Sequence, residues 1–271
     1  MPIQCSVPIR SMSQDEFSTL DYKVMQHAFD CQNSIGSLAD ERVYQADFAA
    51  RLIHTGFHVD REVEISVSHK SFQKSLYLDH VIDHRAVYEL KVVKAISDAH
   101  RGQLLTYLNL LNLERGKLVN FAFQKVEAEF VNAAIPFVER RSFTVHREGY
   151  RGPEFFVNLI VELIRDWGTS LSVNLYVEAV TALLGGSEKV EVMLPTKRAG
   201  IELASQRFLL VSPEDAFQIT AITKPNTGYA SHLQRVLSIS PLRQLHWVNV
   251  ARHQVQFVTI RNEAEISNAE K

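Results

Sequence analysis

Residues 76–93 read LYLDHVIDHRAVYELKVV, and the fold turns on them. Two apolar runs, 76–82 and 86–93, flank a polar turn near Asp83-His84-Arg85. Short apolar runs bounded by turn signals predict strands. Alternate residues of a strand share a face. Glu89 and Lys91 therefore point one way, and Leu90 and Val92 the other. If the strands pair antiparallel so that partner numbers sum to 168, Asp79 stands opposite Glu89, with Cβ atoms about 5 Å apart. An even sum requires an odd loop, so the turn should hold three or five residues. The run 86–93 is apolar enough to predict a central strand. Val87, Leu90 and Val92 should then be inaccessible, and the Tyr88 hydroxyl should find a partner.

Charge in such a place needs a reason. One divalent cation can bridge two carboxylates at the Asp79–Glu89 spacing. Magnesium, a hard cation, takes few protein carboxylates and keeps water. It polarises a phosphate oxygen and lowers the pKa of bound water. Lys91, next along the face, can orient the attacking water or offset developing charge. A plainer reading stays open: Glu-x-Lys on a strand is also a solvated face with an ion pair worth at most about 1 kcal/mol.

Outward from these strands, Glu16 to about Asn33 has Leu20, Val24, Ala28 and Cys31 on one helical face, and Ile35-Gly36-Ser37 stops it. Glu41–His54 is a second amphipathic helix with Gly56 beyond its end. Residues 59–68 alternate as a strand. Residues 98–112 form a leucine-rich helix that offers Gln103, with His100 one turn earlier on the same face. Gly116 interrupts, and 117–123 is a further buried strand. Residues 1–13 read as a loose tail. The order is helix, three strands, helix, strand.

The segments ERVYQADFAARL (41–52), YLDHVIDHRAVYELK (77–91) and HRGQLLTYLNLLNLERGKLVNF (100–121) resemble the GxxExxY proteins, a branch of the PD-(D/E)XK nuclease-like superfamily. The likeness covers about residues 16–125. The family's Glu-x-x-Tyr falls on Glu41 and Tyr44, its strand acid on Asp79, its E-x-K on Glu89 and Lys91, and its helix glutamine on Gln103, with Tyr107 in the same stretch. The glycine three residues ahead of the glutamate is Leu38 here, a departure that touches loop geometry and not the acids. The resemblance implies an α/β fold with a mixed sheet and magnesium- or manganese-dependent phosphodiester hydrolysis. It implies Asp79 and Glu89 as metal ligands with the Leu90 carbonyl a third, and Glu41 as an outer ligand through water. It places Lys91 on the nucleophilic water and Gln103 on Lys91 or the scissile phosphate. For Glu41 a first-turn acid favoured by the helix dipole, and for Gln103 a buried amide bonded to backbone, remain alternatives.

Residues 139–153 are polar and carry glycine, which suggests a boundary between a nuclease-like domain (14–138) and a smaller C-terminal α/β region (152–262). The latter predicts helices at 154–167 and 172–184, strands at 189–194 and 207–211, a helix at 229–238, and a hairpin with arms 245–250 and 255–260. Residues 261–271 read as a polar tail. Arg140, Arg141, Arg147 and Arg151 could touch phosphate, although a solvated linker explains them more simply. Trp167, Tyr176, Phe217 and Trp247 could stack on bases, but their apolar periodicity favours core. His246 and His253 do not define a ligand pair.

The 271 residues are 46% hydrophobic and 22% charged, which excludes a disordered chain. Cys5 and Cys31 make neither a disulfide framework nor a zinc motif. No apolar run reaches membrane-spanning length, and the N-terminus lacks a secretory pattern, so a cytoplasmic protein is expected. The net charge of -2 gives no general nucleic-acid field. The reading is thus a nuclease acting on DNA. Its rival is a non-catalytic nucleic-acid- or protein-binding module on the same fold, which the neutral charge balance favours.

Overall fold

The computed structural model describes residues 2–121, 125–223 and 227–262. It is a mixed α/β chain that divides into two compact units, Met1–Ser68 with Gln73–Phe137, and His69–Phe72 with Val138–Lys271.

The first unit carries a six-stranded mixed sheet in sequence order: β1 (Ile3–Cys5), β2 (Val59–His69), β3 (Phe72–Ile82), β4 (Ala86–Lys91), β5 (Arg115–Asn120) and β6 (Glu127–Asn132). Helices α1 (Gln14–Ile35) and α2 (Glu41–His54) precede β2, and α3 (Asp98–Leu111) joins β4 to β5. A crossover helix of this kind is what a parallel pair requires, and β4 and β5 are parallel.

Local chemistry sets these boundaries. Ser13 and Glu16 close a reciprocal cap on α1, with the Ser13 amide donating to Glu16 Oε2 at 2.8 Å and the Glu16 amide to Ser13 Oγ at 3.3 Å. Gly36, at φ 81°, ends the helix. The β3–β4 turn is Asp83, His84 and Arg85, three residues as the register argument requires. Its pairs His80–Tyr88, Val81–Val87 and Ile82–Ala86 all sum to 168. One step further along that register Asp79 faces Glu89.

Strand β4 is central, between β3 and β5. Val87 and Leu90 are buried. Val92 lies beyond the end of β4 and is only partly buried against the core. Ile82, Ala86, Tyr88 and Leu90 pack with Phe17, Val24 and Ala28 of α1 and Tyr44, Phe48 and Leu52 of α2. The Tyr88 hydroxyl donates to Asp21 at 3.0 Å, and Lys117 Nζ holds the other Asp21 oxygen at 2.6 Å. The odd-numbered face of β4 meets α3.

Two expectations are corrected here. Residues 1–13 are not all a loose tail, because Ile3–Cys5 pairs antiparallel with Val67–Ile65 of β2. Gly116 does not interrupt. It lies inside β5, where a Cβ would meet Leu104 and Leu108 side-chain carbons at 3.2 Å and the Val87 carbonyl at 3.3 Å; the glycine lets α3 seat closely. Residues 122–123 of the strand predicted over 117–123 lie outside the described residues.

The second unit has another mixed sheet, in the order β7-β12-β11-β10-β9-β8, formed by β7 (Thr144–His146), β8 (Glu191–Arg198), β9 (Ile201–Ser212), β10 (Asp215–Thr220), β11 (Gln244–Val250) and β12 (Gln254–Arg261). Its helices are α4 (Phe137–Arg141), α5 (Glu154–Trp167), α6 (Val173–Leu183), α7 (Ser187–Val190) and α8 (Thr227–Ser238). The predicted helix over 154–167 and the closing hairpin are present. Of the strand expected over 189–194, residues 191–194 open β8 while 189–190 belong to α7, and the strand expected over 207–211 lies within β9, the hairpin partner of β8.

The stretch 139–153 is not a plain linker. It contributes to α4 and supplies β7, which pairs with β12. The four arginines there are not one basic surface. Arg140 is wholly buried, donating from Nη1 to the Trp167 and Thr169 carbonyls at 3.2 Å each. Arg141 donates to the Arg165 carbonyl, and Arg147 pairs with Glu154. Trp167, Tyr176, Phe217 and Trp247 are all core. His246 is buried beside Tyr150 and Phe156, whereas His253 is exposed. Of the expected polar tail, 263–271 lie outside the described residues.

Candidate active site

Where β4 leaves the sheet, alternation turns Glu89 and Lys91 toward α3, and the register brings Asp79 across from β3. The Leu90 amide donates to Asp79 Oδ2 at 2.7 Å. Asp79 is thereby held in place by backbone and not by another side chain, and its carboxylate takes the place of a ladder acceptor where the strand pairing ends.

Glu89 is 1% exposed. Its Oε1 accepts from Lys91 Nζ at 2.7 Å and from Gln103 Nε2 at 2.9 Å. Its Oε2 is buried with no hydrogen-bond partner. A carboxylate oxygen so placed is costly. Gln103 also donates to the Tyr107 hydroxyl at 2.9 Å, so two successive turns of α3 fix its amide. The alternative of a Gln103 amide bonded to backbone is replaced by side-chain contacts to Glu89 and Tyr107.

The electrostatics follow from burial and like charge. Burial pushes the Glu89 carboxyl up to about 7, Asp79 and Glu41 add to the rise, and Lys91 opposes it. Burial also lifts Asp79 to about 6; the Leu90 amide and Lys91 resist, and Glu41 and Glu62 reinforce. Burial alone would pull the Lys91 ammonium down, but Glu89, Asp79 and Glu41 outweigh it, and the net shift is upward. Tyr107 is raised by burial, then by Glu89. Acids crowded in this way favour either a shared proton or a bound cation.

Glu41 opens α2, and its field reaches both Asp79 and Glu89. Gln45 donates to its Oε1 at 3.4 Å. Tyr44, the other half of the Glu-x-x-Tyr pair, turns inward instead. Its hydroxyl donates to the Gly36 carbonyl at 2.7 Å and its ring stacks on Phe121 at 4.9 Å. Tyr44 therefore fixes the α1–α2 connection on which Glu41 sits. The structure thus gathers Glu41, Asp79, Glu89, Leu90, Lys91 and Gln103 in one region. It does not include His100, whose Nδ1 accepts from the Ser97 amide at 3.1 Å in the cap of α3.

Sequence reasoning missed two features. Glu62, on β2, lies close enough to raise Asp79 and holds a left-handed φ of 50°, a distortion that strand alternation does not reveal. His58, Asp60 and His84 bring one ligand atom each to within 4.8 Å of one another. The His-x-Asp spacing at the start of β2 was a visible signal, but its third member lies in the β3–β4 turn.

The oxygen donors of Asp79 and Glu89, one of them orphaned, fit a hard divalent cation. Residues 18–133 match the family model of the PD-(D/E)XK nuclease superfamily, whose members generally use divalent metals. No curated protein matches the chain. The crystal structure of SSO0001 aligns at 21% identity and a TM-score of 0.25, over 42% of this chain and 68% of that one. Among the described residues no helix is long and apolar enough to cross a membrane.

Proposed function

We propose that the first unit is a magnesium- or manganese-dependent nuclease of the GxxExxY branch, hydrolysing phosphodiester bonds, with DNA as substrate. The observation that carries this reading is the unpartnered buried Oε2 of Glu89 on the face that Asp79 shares. A carboxylate pair of this kind suits a cation better than it suits the protein alone. Asp79 and Glu89 would hold the metal, with the Leu90 carbonyl beside them and Glu41 reaching it through water. When bound, such an ion withdraws charge from a phosphate oxygen and eases deprotonation of water.

The protein's own groups supply the rest. Leu90 holds Asp79 still through its amide. Gln103 and Lys91 share Glu89 Oε1, which leaves Oε2 as the free donor. Lys91 keeps its proton and gives the face a positive charge for the nucleophilic water or the phosphate. Tyr107 sets the tilt of the Gln103 amide.

The test is calorimetric titration of magnesium and manganese into the native chain and Asp79→Ala, followed by cleavage of linear, single-stranded and branched DNA and of RNA, with a chelator control. Metal binding lost in Asp79→Ala together with cleavage supports the proposal. A native chain that binds no metal and cuts none of these substrates replaces it with the binding-module reading.

A further inference from the structure

We infer that His58, Asp60 and His84 form a second metal site, for a zinc-class divalent ion, that clamps the β3–β4 turn to the start of β2. It is separate from the oxygen-donor site. Asp79 lies four residues before Asp83, about 13 Å along an extended strand.

The backbone already joins the two segments. The His58 amide donates to Asp83 Oδ1 at 2.9 Å, and the Asp83 amide to the His58 carbonyl at 2.8 Å. Three side chains then converge on one point. His58 Nε2 stands 3.0 Å from Asp60 Oδ1, and His84 Nδ1 stands 3.0 Å from Asp60 Oδ2. The two imidazole rings lie 4.2 Å apart between centroids. Each carboxylate oxygen thus faces one imidazole nitrogen.

Only one of these contacts is a hydrogen bond, that of His58 Nε2 with Asp60 Oδ1. Asp60 Oδ2 and His84 Nδ1 are buried and lack a hydrogen-bond partner, although they are close together. Their lone pairs converge without the alignment a proton needs. Two donors on a tetrahedral zinc at about 2.0 Å stand roughly 3.3 Å apart, close to the spacing found here. The donor chemistry selects the ion. Imidazole suits zinc, nickel and copper, while all-oxygen sets suit magnesium. One turn of chain would therefore separate two sites of different metal preference.

The backbone gives the clamp a purpose. Asp83 and His84 both hold φ 52°, a left-handed conformation that non-glycine residues adopt at a cost. Contacts from β2 must offset it. A metal drawing His84 toward Asp60 would do so, and would fix the three-residue turn that sets the register of Asp79 against Glu89. Three protein ligands leave a fourth position for water.

The test uses the full chain, stripped with chelator and then held in saturating magnesium. Zinc is titrated by calorimetry, and cobalt(II) binding is read from its visible absorption. One equivalent of zinc, intense four-coordinate cobalt bands and a melting point raised by about 5 °C at a hundredfold excess over Kd are expected. Asp79→Ala should keep all three. His58→Ala, at an exposed position, and His84→Ala should each weaken zinc roughly tenfold or more. Loss of zinc in Asp79→Ala, or zinc affinity unchanged in both histidine variants, would overturn the inference. So would the absence of zinc binding by the native chain. Because magnesium binding is read separately, failure of this site and failure of the nuclease reading give different results.

Discussion

Replacing Glu89 by glutamine should stabilise the metal-free protein, and only at neutral to alkaline pH. The carboxyl rises from an ordinary value of 4.5 to about 7, chiefly through burial. Ionising it in the fold therefore costs about 3 kcal/mol more than ionising it in the open chain. Below about pH 4.5 both states hold the proton and no penalty exists. As pH climbs toward 7, the unfolded chain releases its proton first, so stability falls across that window and stays low above it. The value of about 7 already contains the opposing attraction of Lys91, so the substitution removes penalty and pairing together. A new amide oxygen can still accept from Lys91 and Gln103. The net gain is about 3 kcal/mol at pH 8, or roughly 6 °C in melting temperature. Thermal unfolding in chelator at pH 5 and pH 8 measures it. At pH 5 the gain should fall below about 1 kcal/mol. Magnesium at pH 8 should stabilise the native chain and not the variant. A Glu89→Gln chain that melts lower than native at pH 8, or gains equally at both pH values, refutes the account of Glu89 as a strained buried carboxylate.

Other substitutions probe the same frame. Lys91→Ala should keep metal binding and slow cleavage about 100- to 1000-fold, the scale for one preorganised charge; single-turnover cleavage in saturating magnesium reads it. Gly116→Ala should cost about 1–3 kcal/mol, because the added methyl meets Leu104, Leu108 and the Val87 carbonyl. It should also weaken metal binding if α3 carries Gln103 outward. Tyr88→Phe should lose about 1–2 kcal/mol by removing a buried donor to Asp21, with cleavage unchanged; a denaturant midpoint equal to native would show that the bond contributes nothing.

Much of the first unit was legible in residues 76–93, and the reason is geometric. Side chains alternate along a strand, so loop parity ties the faces of two paired strands together. The alternation of Glu89 and Lys91 against Leu90 tied a shared Asp79–Glu89 face to an odd turn, and the three-residue turn with pairs summing to 168 meets that condition. Helices α2 and α5 were readable from apolar periodicity and their glycine stops, since those signals are local. Local readings failed where pairing was remote. Ile3–Cys5 is a strand only because β2 offers an edge, and Gly116 looked like a break because its close packing against α3 is not written in its neighbours.

Sequence alone determined which side chains can share a face, because that depends on backbone period. Tertiary structure decided which faces meet. It took Arg140 out of a supposed basic surface and buried it against two carbonyls. It joined Asp21 to Lys117 across 96 residues, and set His84 beside His58 and Asp60. It also brought the field of Glu62 onto Asp79. Such contacts form when loops close and strands from distant segments dock, and no repeating pattern in the chain encodes which residues then arrive together.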